Sequence, residues 1–215
     1  MILRERERER DDNSGLNKLL EYVFGLDLMS YGYGVKYKKL GELINNLPKA
    51  TLKTTDLIPN GKYPVINSGT SIYGYYYKFN NNGDAITIAS RGENASFVQY
   101  MDQDFWAGGL CYALRSKDDN EILTKFLYYY LKNTQQKIRE TLVSEGSIPA
   151  LNKKDLEDII IPIPPLSLQN QIVAILDNFS TYTNNLTQGL PAEINLRQKQ
   201  YEYYRNKLLS FNKVS

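Results

Sequence analysis

Past residue 165 the chain becomes strictly periodic. Leu168, Ile172, Ile175, Phe179, Tyr182 and Leu186 step by alternating fours and threes, the spacing of a heptad seam on one helix face. Gly189-Leu190-Pro191 interrupts the run, and Pro191 suits the first turn of a new helix. Leu190, Ile194, Arg197, Tyr201, Tyr204, Leu208 and Phe211 then form a second seam with one charged member. Each helix would run for about 20 residues, or ~30 Å, and would be marginal alone in water. The seams therefore demand a partner: each other, a second chain, or both. A hairpin that merely closes its own domain is the plainer alternative.

Pro162, Pro164 and Pro165 precede this region. Proline stops both ladders and helices, so a domain boundary is expected there. Upstream, within a domain expected over 36–165, residues 35–118 read as β-rich. Tyr63–Asn67, Ala85–Ala89, Ser96–Met101 and Leu110–Arg115 are short runs bounded by Gly, Asn and Asp. Polar, glycine-bearing loops lie between them: Asn67-Ser-Gly-Thr-Ser71, Asn80-Asn-Asn-Gly83 and Ser90-Arg-Gly-Glu-Asn94. From Glu121 to Leu142 the period turns helical. The loop Ser144-Glu-Gly-Ser147 and a strand through Ile159–Ile161 follow. Residues 1–35 read as a mixed charge run, RERERERDD at 4–12, then a short amphipathic helix from Leu16 to about Gly25. The expected class is α+β: a mixed β-rich domain over 36–165 and a long-helix, coiled-coil-like region over 166–215.

The chemistry this chain can carry is narrow. It has no histidine and one cysteine, Cys111. A Ser-His-Asp triad, a Cys-His pair, a His-based metal site and a four-thiolate zinc site are all excluded. No P-loop appears. Ser30-Tyr-Gly-Tyr-Gly34 lacks the third glycine of a dinucleotide loop. No N/D-P-P-Y/F element of an amino-methyltransferase is present, and Pro164-Pro165-Leu166 is only superficially similar. The acidic cluster Asp155-Leu-Glu157-Asp158 is adjacent rather than convergent, so it is expected to cap and solvate a strand rather than to bind metal. No catalytic and no metal-ligating residue is assigned. No apolar run reaches the roughly 20 residues that span a bilayer, and the lone cysteine suits a cytoplasmic setting.

What remains is surface. Net charge is only +2, so a nucleic-acid face must be a local patch. Residues 36–150 carry 14 Lys/Arg against 11 Asp/Glu, whereas the first 35 carry five against seven. Among 18 tyrosines, Tyr73, Tyr75, Tyr76 and Tyr77 precede Lys78, an aromatic-basic stretch of the kind that lines nucleic acid; cross-strand packing is the rival. Arg91 offers a bidentate fork to guanine, and Gly92 beside it allows close backbone approach; a solvated loop arginine is the alternative. Lys153 and Lys154 suit phosphate or a plain surface turn.

Three segments carry a family resemblance: Tyr37-Lys-Lys-Leu-Gly-Glu-Leu43, Gly146-Ser-Ile-Pro-Ala-Leu-Asn-Lys-Lys-Asp-Leu156, and Ile161-Pro-Ile-Pro-Pro-Leu-Ser-Leu-Gln-Asn-Gln-Ile-Val-Ala-Ile-Leu-Asp177. With the tail from Gly189 to Phe211 they resemble the specificity subunits of type I restriction-modification systems, over roughly residues 36–212. The resemblance implies a DNA target-recognition domain followed by a helical spacer. Family members of full length hold two such cassettes; this sequence holds one, which implies a half-length form that pairs with a second copy of itself.

By the same resemblance the chain is a non-catalytic, DNA-binding subunit. Its implied partners are double-stranded DNA, modification subunits that bind S-adenosylmethionine and methylate adenine, and a restriction motor-nuclease subunit. It carries no cofactor and meets no membrane. Ser68, Thr70, Ser71, Tyr73, Tyr75, Lys78, Arg91, Asn94, Ser147, Lys153 and Lys154 are assigned to DNA. Ile172, Ile175, Phe179, Tyr182, Ile194, Tyr201, Tyr204 and Leu208 are assigned to self-association and partner docking. Two other classes compete: a coiled-coil adaptor without DNA binding, and a carboxylate-dependent DNA enzyme of unrecognised type.

Overall fold

The structure, a computed structural model, describes residues 35–144, 146–185 and 191–210. The N-terminal charge run, the helix expected from Leu16 and the seam residues Leu186, Leu190 and Phe211 lie outside them, as do the side chains of Tyr182, Ile194 and Arg197. Two compact units divide at Ile161–Pro162.

The first unit, Tyr37–Ile161, is built on two small sheets. Its elements in order are β1 (Lys36–Lys39), α1 (Leu40–Leu43), β2 (Ile44–Asn46), β3 (Tyr63–Ile66), β4 (Gly74–Tyr76), β5 (Ala85–Ala89), β6 (Val98–Met101), β7 (Trp106–Ala107), β8 (Cys111–Ser116), α2 (Thr124–Leu142), β9 (Val143–Ser144), β10 (Ala150–Leu151) and α3 (Lys153–Glu157). Four strands form one antiparallel sheet in the order β2-β8-β5-β6, and three form another in the order β4-β3-β7. The strand β5, Ala-Ile-Thr-Ile-Ala, is buried at every residue. A mainly apolar, β-branched run, with Thr87 the one polar member, rather than an alternating one, is what a strand covered on both faces requires. One cover is α2, which packs on β5, β6 and β8 through Phe126, Leu127, Leu131 and Ile138. Elsewhere a cluster of Ile66, Ala85, Met101, Phe105, Ala107, Cys111 and Ala113 joins the two sheets.

α2 also closes the open edge of β6. Val98 N–H donates to Gln135 Oε1 at 2.8 Å, and Lys132 Nζ donates to Val98 O at 2.8 Å while lying 4.1 Å from the Phe97 ring centroid. A covered edge cannot template a further strand. The helix begins at Thr124, not at Glu121 as its period suggested. Asp118 explains the delay: its carboxylate accepts from Asn120 N–H at 2.9 Å, and its carbonyl accepts from Glu121 and Ile122, so residues 118–122 are spent on a turn.

In the second unit, α4 (Leu166–Asn185) and α5 (Pro191–Leu208) pack on each other. Leu168, Ile172, Ile175 and Leu208 are buried, and Phe179 stacks on Tyr204 with ring centroids 5.8 Å apart. The seams therefore meet within one chain. Leu196 and Tyr203 remain 69% and 55% exposed on α5. One punctuation reading needs correction. Pro162 does not stop the preceding strand but lies inside it, in β11 (Ile160–Ile163), which pairs with β1 alone. A strand with one free edge tolerates a residue that donates no hydrogen bond. The α+β class and the long-helix region expected from the sequence are both present.

Candidate nucleic-acid interface

Arg91 sits where three stretches of chain meet. It forms an isolated bridge with Ala150, flanked by Leu151 N–H to Ser90 O and Gly92 N–H to Pro149 O, both 2.9 Å. Gly92 has φ +85°, a left-handed conformation that costs residues with a Cβ about 1–2 kcal/mol. Arg139 Nη1 donates to Ala95 O at 3.0 Å, so α2 fixes the far side of the same loop. The short hairpin β9–β10 is thus stitched to loop 90–96, although 53 residues separate Arg91 from Ser144.

Together these segments enclose a groove of about 320 Å³ lined by Ser90, Arg91, Tyr112, Ser144, Ala150, Leu151, Asn152 and Lys153. Tyr112 forms its floor. Its hydroxyl donates to Leu151 O at 2.8 Å, and Lys49 Nζ lies 5.0 Å from its ring centroid. Burial pushes the Tyr112 phenol above the ordinary tyrosine range, partly opposed by the Arg91 charge beside it. Lys49 also donates to Gly109 O at 3.2 Å. Arg91 and Lys153 thus line the groove with the half-buried Tyr112, and Lys49 approaches the Tyr112 ring without lining the groove. Lys153 meets Glu157 only loosely at 3.6 Å, and Asn152 is occupied in capping α3 through Lys154 N–H at 2.8 Å.

Two members of the acidic cluster, Glu157 and Asp158, are engaged in ion pairs. Asp158 accepts from Lys39 Nζ at 2.7 Å, and this hydrogen bond holds its carboxyl below the usual carboxylate range. Glu157 accepts from Asn46 Nδ2 at 2.9 Å. Among the described residues no group of three metal-ligating side chains converges, and no helix is long and apolar enough to cross a membrane.

The other assigned residues occupy neighbouring positions. Asn94, Ser147 and Lys154 are exposed beside the groove in sequence without lining it. Thr70 and Ser71 are exposed and Ser68 is half-buried, in the loop after β3. Tyr73, Tyr75 and Lys78 are exposed along β4 and its flanks. The Leu110 backbone links two of these loops: its N–H donates to Asn67 Oδ1 at 3.0 Å, and its carbonyl accepts from Ser90 N–H at 2.9 Å. Sequence reasoning missed Lys49, Tyr112 and Asn152. Lys49 and Tyr112 stand far from Arg91 along the chain, and no local pattern marks either; Asn152 stood in the quoted Asn-Lys-Lys run and its N-cap position was legible.

Comparison with known proteins places this geometry in a family. Residues 33–196 match the profile described as the type I restriction modification DNA specificity domain. The specificity subunit of the Escherichia coli enzymes EcoR124I and EcoR124II is 46% identical over 93 residues, 43% of this chain and 23% of that protein. The MpnII specificity subunit of Mycoplasma pneumoniae is 35% identical over 154 residues, 70% of this chain and 45% of its own length. Among solved structures, the type I restriction-modification S subunit from M. genitalium superposes with TM-score 0.65 and 27% identity, covering 72% of this chain and 41% of that one. This chain spans less than half the length of each of these relatives.

Proposed function

Because the chain belongs to the type I restriction-modification DNA specificity family, we propose that its first unit recognises a DNA sequence through the Arg91 groove. The observation that carries this reading is that Arg91 and Lys153, from separated segments, line one groove with Tyr112, whose ring Lys49 approaches. A stitched loop holds Arg91 in place before DNA arrives, and preorganised donors spend less entropy on binding. Arginine supplies a fork for a base edge, and the two lysines neutralise phosphates around it.

In this reading the chain performs no chemistry itself. Methylation of adenine belongs to modification subunits that carry S-adenosylmethionine, and cleavage to a motor-nuclease subunit. A single recognition unit discriminates few base pairs, each contributing about 1–3 kcal/mol. A second copy, joined through the helical unit, raises the effective concentration of the second contact. Identical chains pair about a two-fold axis, so the target is two identical half-sites in inverted orientation. Long-read mapping of methylated adenines, in a host whose only specificity chain is this one, tests the scheme. An interrupted palindrome is expected, and two unrelated half-sequences would overturn it.

A further inference from the structure

Of the three polar, glycine-bearing loops, Asn80–Gly83 takes no part in the proposed interface. Its first two asparagines are engaged in the fold: Asn80 Oδ1 accepts from Ala107 N–H at 2.7 Å, and Asn81 Nδ2 donates to the Pro48 carbonyl at 2.8 Å. Its end, Asn82-Gly83, is one of two Asn-Gly pairs in the chain, the other being Asn60-Gly61. Asparagine before glycine carries a latent reaction. The glycine nitrogen attacks the asparagine Cγ, a new C–N bond closes a five-membered succinimide, and the side-chain nitrogen leaves as ammonia. Water then opens the ring at either carbonyl, giving aspartate, or isoaspartate with the main chain rerouted through Cγ. Glycine has no Cβ to hinder the approach. The step needs a glycine nitrogen that has given up its proton and a side-chain amide free to swing over it.

In Asn82-Gly83 one oxygen holds both reactants. Asp104 Oδ1 accepts from Gly83 N–H at 3.1 Å and from Asn82 Nδ2 at 3.2 Å. A carboxylate beside an N–H that must ionise disfavours the anion, as any like charge does. Asp104 is held in register by its neighbour, since Phe105 is fully buried and exchanges backbone hydrogen bonds with Asn81. From the other side, Arg115 donates to the Asn82, Gly83 and Asp84 carbonyls at 2.8, 2.9 and 2.9 Å. Asn60-Gly61 has no such clamp. Gly61 N–H donates to the neutral Ile58 carbonyl at 3.0 Å, and Asn60 is exposed. We propose that Asp104 is a lock against deamidation at Asn82-Gly83, and that Asn60 is the position at which the folded chain deamidates. Conversion of Asn60 adds a carboxylate to a stretch, residues 49–79, that holds Lys49, Lys53, Lys62 and Lys78 against Asp56 alone.

The test is peptide mapping by mass spectrometry, with the full chain aged in mildly alkaline buffer and, as the unlocked reference, in concentrated urea. In the folded wild type Asn82 should react at least roughly tenfold more slowly than in urea, about what one charge-assisted hydrogen bond holds back. Asn60 should react measurably faster than Asn82 in the same folded molecules. Asp104→Ala should restore most of the Asn82 rate and leave the Asn60 rate unchanged, with circular dichroism confirming the fold. Asp104→Asn keeps the size and removes the charge, so it should speed Asn82 by a smaller factor, and it decides the matter if the alanine variant does not fold. Folded wild type in which Asn82 reacts as fast as in urea, or in which Asn60 is as well protected as Asn82, would overturn the proposal. So would folded Asp104 variants in which Asn82 stays as slow as in wild type, since Arg115 would then hold the loop alone. None of these measurements involves DNA, so their failure leaves the recognition reading where it stands.

Discussion

The Tyr112 hydroxyl donates to the Leu151 carbonyl at 2.8 Å, and this bond fastens the β9–β10 hairpin to the central sheet. Tyr112→Phe keeps the ring under Lys49 but leaves a carbonyl without its donor. A buried acceptor left unpaired costs about 1–3 kcal/mol, and the half-buried setting here argues for the lower end. Urea unfolding should show a lower midpoint with an unchanged slope.

Alkaline pH should expose the same residue. Burial raises the phenols of Tyr112, Tyr130 and Tyr201 above the ordinary value, so the native state holds these protons more tightly than the unfolded chain. Their contribution is intact below the unfolded tyrosine pKa of about 10 and is lost as pH rises through the higher folded values. Unfolding midpoints should stay level across neutral pH and fall above about pH 10. The fall should be shallower in Tyr112→Phe.

Arg91→Ala should weaken binding of the assembled methyltransferase to its own target by about 1–3 kcal/mol, with little change on a scrambled duplex. Gly92→Ala is a useful companion. No heavy atom lies within 4 Å of an added Cβ, so any effect arises from the positive φ alone. It should destabilise by about 1 kcal/mol and loosen the loop without removing a contact group.

Leu196 and Tyr203 stand seven residues apart, one heptad, on α5 and are exposed. Glutamate at both positions should reduce self-association, seen by analytical ultracentrifugation, without unfolding the helix pair. Charges at Ile175 and Phe179 should do more damage. Ile175 is buried and Phe179 stacks on Tyr204 of the same chain, so they should lower helix content as well as splitting any dimer.

Cys111 is fully buried, and burial pushes its thiol up to about 11. The native chain should therefore resist alkylation by iodoacetamide at pH 8 and become reactive in denaturant. Rapid native labelling would show that the two sheets part.

Much of this fold is legible in the sequence because the signals are periodic. The run Ala85–Ala89 matches β5 residue for residue, and the heptad steps from Leu168 to Phe179 mark the face that α4 buries. Signals that depend on distant pairing are not local. The two-residue strand at Trp106–Ala107 exists because β3 lies beside it in parallel, and the Val143–Ser144 strand because Ala150–Leu151 folds back on it. The groove shows the same division. Arg91 beside Gly92 was readable as a loop arginine, and Lys153 as a basic residue near a turn. That both line one groove with Tyr112 depends on the stitching of loop 90–96 to residues 149–151.

The backbone of the one residue Leu110 bears on how such a protein could be retargeted. Its N–H serves the Asn67 loop and its carbonyl serves the Ser90 loop. Grafting the first loop from a relative would strand the Leu110 N–H unless the graft brought its own acceptor in place of Asn67 Oδ1, and grafting the second must keep a backbone N–H at position 90 aimed at the Leu110 carbonyl. Loops 67–71 and 90–94, with the turn between them, therefore form one interchangeable cartridge, and new specificities should be inherited by transplanting the whole of it rather than by editing either loop alone.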